Sequence, residues 1–150
     1  MPVINSLEWT SDTQAELYSK MRPGYVDELY KDIFSYIDIS NSSNVLEIGI
    51  GAGQATLPML QTVCKLTAVE RGMNFAQMCT EEFKEHPNFS LENTYFENFK
   101  YKSGSYDLIY SASAFHWIPE EIGYSKVFDM LKTSGAYARF ANHPYVENGT

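Results

Sequence analysis

An acidic residue followed by three alternating glycines is the part of this chain best suited to bind a ligand. Glu47 stands near the end of a short apolar run, and Gly49, Gly51 and Gly53 follow at every second position. Glycine tolerates positive φ and lets the backbone approach a ligand with no Cβ in the way. A strand, a glycine turn and a helix N-terminus together form a nucleotide-like binding site at the carboxyl edge of a parallel sheet.

The spacing of the glycines separates two kinds of ligand. A dinucleotide fingerprint has its third glycine three residues after the second, but Gln54 and Thr56 occupy the positions three residues after Gly51 and Gly53. The carboxylate of Glu47 would repel a pyrophosphate and would favour a ligand with a protonated amine or a sulfonium. The alternative is a glycine-rich turn that binds nothing.

A second acidic residue, Glu70, ends the next apolar run about twenty residues after the glycine turn. A carboxylate in this place can accept both hydroxyls of an adenosine ribose. The alternative is a solvated carboxylate at a strand end. Arg71 and Met73 follow it and are assigned to the same ligand site, with a core position as the alternative for Met73.

A later segment brings a histidine to the same edge of the predicted sheet. Ser111 to Ala114 would line the ligand, and Phe115-His116-Trp117 follows beside the glycine turn. Histidine titrates near neutral pH as a residue type, so a histidine in this place can take a proton from an attacking hydroxyl or amine. Packing or hydrogen bonding under the ligand is the alternative for His116, and Trp117 either covers the ligand or packs in the core.

These residues are positioned by alternating strands and helices. Apolar periodicity predicts strands at about 44–49, 66–70, 89–93, 106–111 and 136–141. It predicts helices at about 12–20, 26–37, 54–63 and 73–84, and another that Pro119 opens. Leu57 and Leu60 are expected on a buried helix face, and Ser134-Gly135 as a turn. Crossover connections make such a sheet parallel, so we expect a doubly wound α/β fold with strand order 3-2-1-4-5.

Composition indicates one globular domain that does not bind polyanions. The chain has 150 residues, 44% hydrophobic and 20% charged, which is enough to bury a core. Its net charge of -8 argues against nonspecific binding to nucleic acid or an anionic membrane. Neither a membrane span nor a signal peptide is visible, and a cytoplasmic location is expected. Cys64 and Cys79, expected on separate helices, have no disulfide or metal-ligand spacing, and no metal is expected.

Taken in order, these elements resemble class I S-adenosylmethionine-dependent methyltransferases. The likeness is strongest to the methyltransferase-11 group, which includes trans-aconitate methyltransferase. The likeness rests on two segments that are typical of that group. They are Tyr18-Ser-Lys-Met-Arg22-Pro-Gly-Tyr25 and the Ser-Ala-Phe-His-Trp run that ends at Trp117. The resemblance implies S-adenosylmethionine as cofactor, with Glu47 on the methionine amine and Glu70 on the ribose. Tyr18 and Arg22 would contact the methionine carboxylate or an acidic substrate, with a surface arginine as the alternative.

The loop after the third strand lies near the adenine in that family. Phe96 and Glu97 are therefore assigned to the cofactor site, and Phe96 would stack on the base. Many members have an aspartate one or two positions before the position matched by Glu97, where this chain has Tyr95 and Phe96. A direct side-chain bond to the adenine amine is thus not implied by these residues.

The resemblance also implies a domain layout and a range of functions. Residues 1–150 would form one methyltransferase domain, with a helical lid at 1–40 and a Rossmann-like core at 41–150 that lacks the last strands of the family's seven-stranded sheet. The edge of the fifth strand would then be exposed and able to pair in a homodimer. The expected acceptor is a small molecule, with carboxylates among the candidates. The alternatives are a noncatalytic S-adenosylmethionine-binding module or inactive fragment, and a nicotinamide-dependent oxidoreductase.

Overall fold

The computed structural model describes residues 27–112 and 120–140, and strands and helices alternate along this part of the chain. The elements are α1 (Asp27–Tyr36), β1 (Asn44–Ile48), α2 (Leu57–Leu60), β2 (Lys65–Val69), α3 (Met73–Glu82), β3 (Phe89–Glu92), a 3-10 helix (Phe96–Asn98), β4 (Tyr106–Ala112), α4 (Glu120–Met130) and β5 (Leu131–Phe140). The helix predicted at 12–20 lies outside the described residues. No described helix has the length and apolar character needed to cross a membrane.

The five strands form one sheet in the order β3-β2-β1-β4-β5, and every pair of neighbours is parallel. This confirms the order predicted from the sequence. The central strand β1 lies between β2 and β4, with Glu47 opposite Ala68 on one side and Tyr110 on the other. Chain connections diverge at β1 and β4, which is the point where sheets of this kind bind ligands.

Apolar side chains cover both faces of the sheet. Val45 and Leu46 are neighbours on β1 and belong to different buried clusters, because successive side chains of a strand point to opposite faces. The first cluster packs residues of α1, α2 and α3 against the sheet, and the second packs α4 and the 3-10 helix. Coverage on both faces explains why adjacent residues are apolar at the centres of these strands, as in Val45-Leu46 of β1 and Leu108-Ile109 of β4.

The helix after the glycine turn is shorter than predicted and occupies only 57–60. It is a single turn that directs Met59 and Leu60 into the first cluster. Leu57, expected on the buried face, is 46% exposed. The chain leaves this region at Val63, which has a positive φ of 56° that ends helical geometry. Cys64 therefore lies in the connection to β2 and not on a helix, whereas Cys79 lies on α3, and both are buried free thiols.

Strand β5 begins earlier than predicted, at Leu131. Leu131 pairs with Tyr106, and the next paired residue is Ala136, which lies opposite Leu108. The predicted turn at Ser134-Gly135 therefore lies within the strand, in an irregular segment. Bulged segments of this kind interrupt the apolar alternation by which a strand is predicted from sequence.

The irregular segment of β5 faces Asp107, which joins three strands at the amino edge of the sheet. The Asp107 carboxylate accepts a hydrogen bond from the backbone N–H of Asn44 at 2.8 Å. It also lies 3.1 Å from Nζ of Lys132 in β5. These contacts stabilise the path of β5 after Leu131. Asp107 and Lys132 are too far apart in the sequence for their contact to be predicted from a local pattern.

Gly135 is expected to be required at its position, because a Cβ there would lie 2.9 Å from the Tyr106 carbonyl oxygen and 3.1 Å from that of Asp107. Gly135→Ala should lower the free energy of unfolding by about 1–3 kcal/mol, since backbone must move to admit the methyl group. Urea unfolding measures the change. Ser134→Ala, an exposed position in the same segment, is the control and should stay within about 0.5 kcal/mol of the wild type. Equal effects in both variants would contradict the proposed clash.

Candidate cofactor site

The glycine turn after β1 has one open side and one packed side. Gly51 has a φ of 56°, and a Cβ built on it would meet no atom of the described chain within 4 Å. Gly53 has a φ of 85°, and a Cβ there would lie 3.1 Å from the ring of Phe83, the residue directly after α3. Gly49 also has a positive φ, of 69°. The turn therefore leaves space beside Gly51 for a ligand, while Gly53 allows close packing against α3.

Glu70 lies across from the open side of the turn. Its Oε1 accepts a hydrogen bond from the Gly51 N–H at 2.8 Å, and its Oε2 accepts one from the Gly72 N–H at 2.7 Å. Burial raises the pKa of Glu70, whereas the two N–H groups oppose this shift. A carboxylate has about four acceptor positions, so Glu70 retains the capacity to accept two ribose hydroxyls.

Glu47 is completely buried beside the same turn. Its Oε1 accepts hydrogen bonds from the Tyr110 hydroxyl at 2.6 Å and from Oγ1 of Thr56 at 2.8 Å. Its Oε2 is buried without a hydrogen-bond partner in the described part of the chain. Burial raises the pKa of Glu47 to about 7, against the opposing effect of the two hydrogen bonds. The site thus contains a carboxyl group that titrates near neutral pH.

Two tyrosines connect this carboxyl group to the rest of the domain. The Ala55 carbonyl oxygen accepts a hydrogen bond from the Tyr30 hydroxyl at 3.1 Å and a longer one from the Tyr110 hydroxyl at 3.4 Å. The ring of Phe140 stacks on Tyr110 with 6.1 Å between centroids and packs edge-on against Tyr30 at 6.5 Å. Helix α1, the glycine turn, β4 and β5 therefore meet at one buried cluster.

Sequence reasoning did not single out Tyr30, Thr56 or Tyr110 as site residues. The position of Tyr110 follows from the register of β1 with β4, which places it directly opposite Glu47. A buried carboxylate needs a donor nearby. Searching the neighbouring strand for a polar side chain could therefore have found Tyr110 once that register was known.

The other predicted site residues differ in their solvent exposure at the edge of the sheet. Arg71 is exposed, and Met73 is 61% exposed at the start of α3, which excludes its alternative core position. Ser111 is buried near the end of β4, opposite Ile48. Glu97 is exposed on the 3-10 helix. Four further candidates, Tyr18, Arg22, Phe115 and His116, lie outside the described residues, as does Trp117.

The structure contradicts the predicted stacking of Phe96 on adenine. Phe96 is only 4% exposed and belongs to the second buried cluster. Nζ of Lys126 on α4 lies 4.9 Å from the centroid of its ring. The 3-10 helix that begins at Phe96 turns this side chain into the core, so the ring is not available at the ligand edge. The preceding Tyr95 is the exposed aromatic residue of this loop.

Comparison with known proteins identifies the family of this fold and site. Residues 45–135 match the family model described as a methyltransferase domain. The chain belongs to the methyltransferase domain family. This methyltransferase domain is 31% identical over 119 residues to a candidate methyltransferase of Dictyostelium discoideum, covering 79% of the chain and 43% of that protein.

A second relative, an uncharacterised methyltransferase of Schizosaccharomyces pombe, is 24% identical over 134 residues, with coverage of 89% of the chain and 52% of the relative. The chain therefore spans about half the length of the curated relatives that it matches.

Solved structures agree on the fold. A Methanococcus maripaludis protein described as an S-adenosyl-L-methionine-dependent methyltransferase superposes with a TM-score of 0.74 at 11% identity, covering 89% of this chain and 64% of the other. A Haemonchus contortus phosphoethanolamine N-methyltransferase in complex with S-adenosyl-L-methionine gives a TM-score of 0.75 at 14% identity, with coverage of 99% and 39%. The expected cofactor is thus the one bound by a methyltransferase of the same fold.

The raised pKa of Glu47 makes stability depend on pH. Because this pKa rises from an ordinary 4.5 to about 7 on folding, its protonated form stabilises the fold below pH 4.5, and this contribution is lost as pH rises through 7. From pH 5 to pH 8 the wild type should lose about 2–3 kcal/mol of unfolding free energy relative to Glu47→Gln.

Urea unfolding at several pH values measures this difference. Glu85→Gln, at an exposed position, is the matched control and should follow the wild type at every pH. A constant difference between the wild type and Glu47→Gln across this range would contradict protonation of the buried carboxyl group.

Proposed function

We propose that this domain binds S-adenosylmethionine at the carboxyl edge of β1, β2 and β4 and transfers its methyl group to a small-molecule acceptor. The observation that carries the proposal is the Glu70 carboxylate, held 2.8 Å from the Gly51 N–H beside a glycine with open space. A ribose with two free hydroxyls fits an acceptor of this kind. Family membership supports the same assignment.

Charge favours this cofactor over a dinucleotide. Glu47 and Glu70 lie at one edge of the sheet, and the repulsion between them contributes to the raised pKa of Glu47. A ligand with a cationic amine and a sulfonium relieves that repulsion, whereas a pyrophosphate adds to it. When bound, S-adenosylmethionine supplies an electrophilic methyl group on a positively charged sulfur. The residues of the chain orient it, with Glu70 on the ribose and Glu47 on the amine.

The acceptor that we propose is a small carboxylate of the kind methylated by the trans-aconitate group. With the cofactor bound, the acceptor's lone pair would form a bond to the methyl carbon as the carbon–sulfur bond breaks, and a neutral thioether would leave. Positioning the acceptor beside the methyl group with water excluded would account for most of the rate gain. Tyr18 and Arg22 are the candidates to bind an acidic group. A carboxylate needs no base, whereas a hydroxyl or amine would pass its proton to His116.

A noncatalytic cofactor-binding module is the second candidate function. It rests on the contacts between Glu70 and the glycine turn, which account for cofactor binding and not for methyl transfer. The edge of β5 offers a surface for self-association, because no other described strand pairs with its outer side. Methyl transfer and self-association can be measured separately, so a catalytic domain and a noncatalytic module are distinguishable.

Cofactor binding tests the proposal directly. We expect saturable binding of S-adenosylhomocysteine in isothermal titration calorimetry and none of NAD. Glu70→Gln should weaken binding by about tenfold or more, since a charged hydrogen bond contributes about 1.5–3 kcal/mol. The matched control is Glu92→Gln, an exposed carboxylate at the end of the neighbouring strand β3, which should bind as the wild type does. Tighter binding of NAD than of S-adenosylhomocysteine would overturn the proposal.

Replacement of His116 distinguishes a role in proton transfer from a structural role. His116→Ala should leave the Kd for S-adenosylhomocysteine unchanged and lower turnover of hydroxyl or amine acceptors by about 100-fold or more, the usual contribution of a general base. Release of S-adenosylhomocysteine over a panel of carboxylate, hydroxyl and amine acceptors measures turnover. Carboxylate acceptors are the internal control, since they have no proton to remove. Loss of cofactor binding in this variant would assign a structural role to His116.

A further inference from the structure

A completely buried carboxyl group with one unpartnered oxygen lies beside the glycine turn. Both hydrogen bonds to Glu47 go to Oε1, and none reaches Oε2 from the described residues. An ionised carboxylate in such surroundings is unfavourable unless a cation or further donors compensate for the lost water. In the domain without ligand, this cost is avoided because Glu47 keeps its proton over part of the pH range around neutrality.

We propose that Glu47 releases a proton when the cofactor binds, and that Tyr110 and Thr56 are positioning residues that present its free oxygen to the cofactor's ammonium group. This inference rests on the proposed function. The buried carboxylic acid and the ligand ammonium become a carboxylate–ammonium pair, and the proton goes to solvent. Binding is thereby coupled to pH through one group.

The geometry leaves Oε2 as the atom available to a ligand. Tyr110 on β4 and Thr56 at the end of the glycine turn both donate to Oε1, so the carboxyl group is fixed from two sides. Tyr110 is itself held by the stacked ring of Phe140. Because two hydrogen bonds fix Oε1, the position of Oε2 is also fixed.

The groups that face Glu47 from neighbouring elements are acidic or neutral in the described part of the chain. Glu70 at the end of β2 raises the pKa of Glu47 by repulsion. Burial raises the pKa of the Tyr110 hydroxyl on β4 and of the Cys79 thiol on α3, so both remain neutral donors near pH 7. Tyr30 on α1 reaches the cluster through the Ala55 carbonyl oxygen. Among the described residues, no lysine or arginine is a group that shifts the pKa of Glu47, and a cationic ligand would supply the compensating charge.

The direction of the pH effect follows from this arrangement. An ammonium group next to Oε2 favours the ionised carboxylate, so the bound state has a lower pKa than the free state, which titrates at about 7. Affinity should therefore rise with pH up to about 7 and level off above it. A ligand that lacks the ammonium group should show no such rise.

The test is isothermal titration calorimetry at pH 6, 7 and 8 in buffers of different ionisation enthalpy, which reports the protons released on binding. S-Adenosylhomocysteine should release about 0.9, 0.5 and 0.1 proton at these pH values, and its Kd should fall about tenfold from pH 6 to pH 8. 5′-Methylthioadenosine, which has no amino acid portion, should release none.

Variants assign the released proton to Glu47. Glu47→Gln should abolish proton release on binding of S-adenosylhomocysteine. Tyr110→Phe removes a hydrogen bond that lowers the pKa of Glu47, so the midpoint of the pH dependence should move to higher pH. Tyr101→Phe is the matched control, because the Tyr101 hydroxyl donates to a different carboxylate, that of Asp129, at the surface. Its midpoint should equal that of the wild type.

The outcomes separate this inference from the proposed function. Binding of S-adenosylhomocysteine with no proton release, or with undiminished release in Glu47→Gln, would overturn the inference and leave cofactor binding intact. An unshifted midpoint in Tyr110→Phe would overturn the positioning role of Tyr110, and this readout remains if Glu47→Gln fails to fold. No binding at any pH by the folded wild type would instead overturn the proposed function.

Discussion

The site depends on the burial of the Glu47 carboxyl group at the carboxyl end of the central strand. Taking a carboxylate out of water is unfavourable by several kcal/mol unless hydrogen bonds or an opposite charge replace the lost hydration. The domain supplies two donors, from Thr56 on the glycine turn and Tyr110 on β4. Satisfying this one group therefore fixes the position of the turn relative to the strand beside it.

The second carboxylate, Glu70, holds the other side of the turn through backbone N–H groups. Its hydrogen bond from Gly51 joins β2 to the turn, as Thr56 joins the turn to β1. Two acidic residues, one on β1 and one directly after β2, thus contact the glycine loop from two sides. The same contacts concentrate negative charge where a cationic ligand would bind, so stability and recognition use the same atoms.

The strand order could be predicted from the sequence, as could the position of two carboxylates beside the glycine turn, because each has a local signature, an apolar run followed by a glycine turn or an acidic residue. The contact between Glu47 and Tyr110 could not be predicted, since the register of two strands buried on both faces is weakly constrained by their apolar pattern. The inward turn of Phe96 and the early start of β5 at Leu131 were missed for a related reason. Both depend on packing between segments distant in sequence.

The hydrogen bond from Tyr30 to the Ala55 carbonyl oxygen bears on where the domain begins. The match to the family model starts at residue 45, yet a hydroxyl from α1 reaches the backbone of the glycine turn from outside that boundary. The helix that precedes the matched region thus contacts the glycine turn and is part of the surroundings of the site. A fragment trimmed to residues 45–135 would keep Glu47, Glu70 and the glycine turn, but it would lose the Tyr30 hydroxyl that donates to the backbone of that turn.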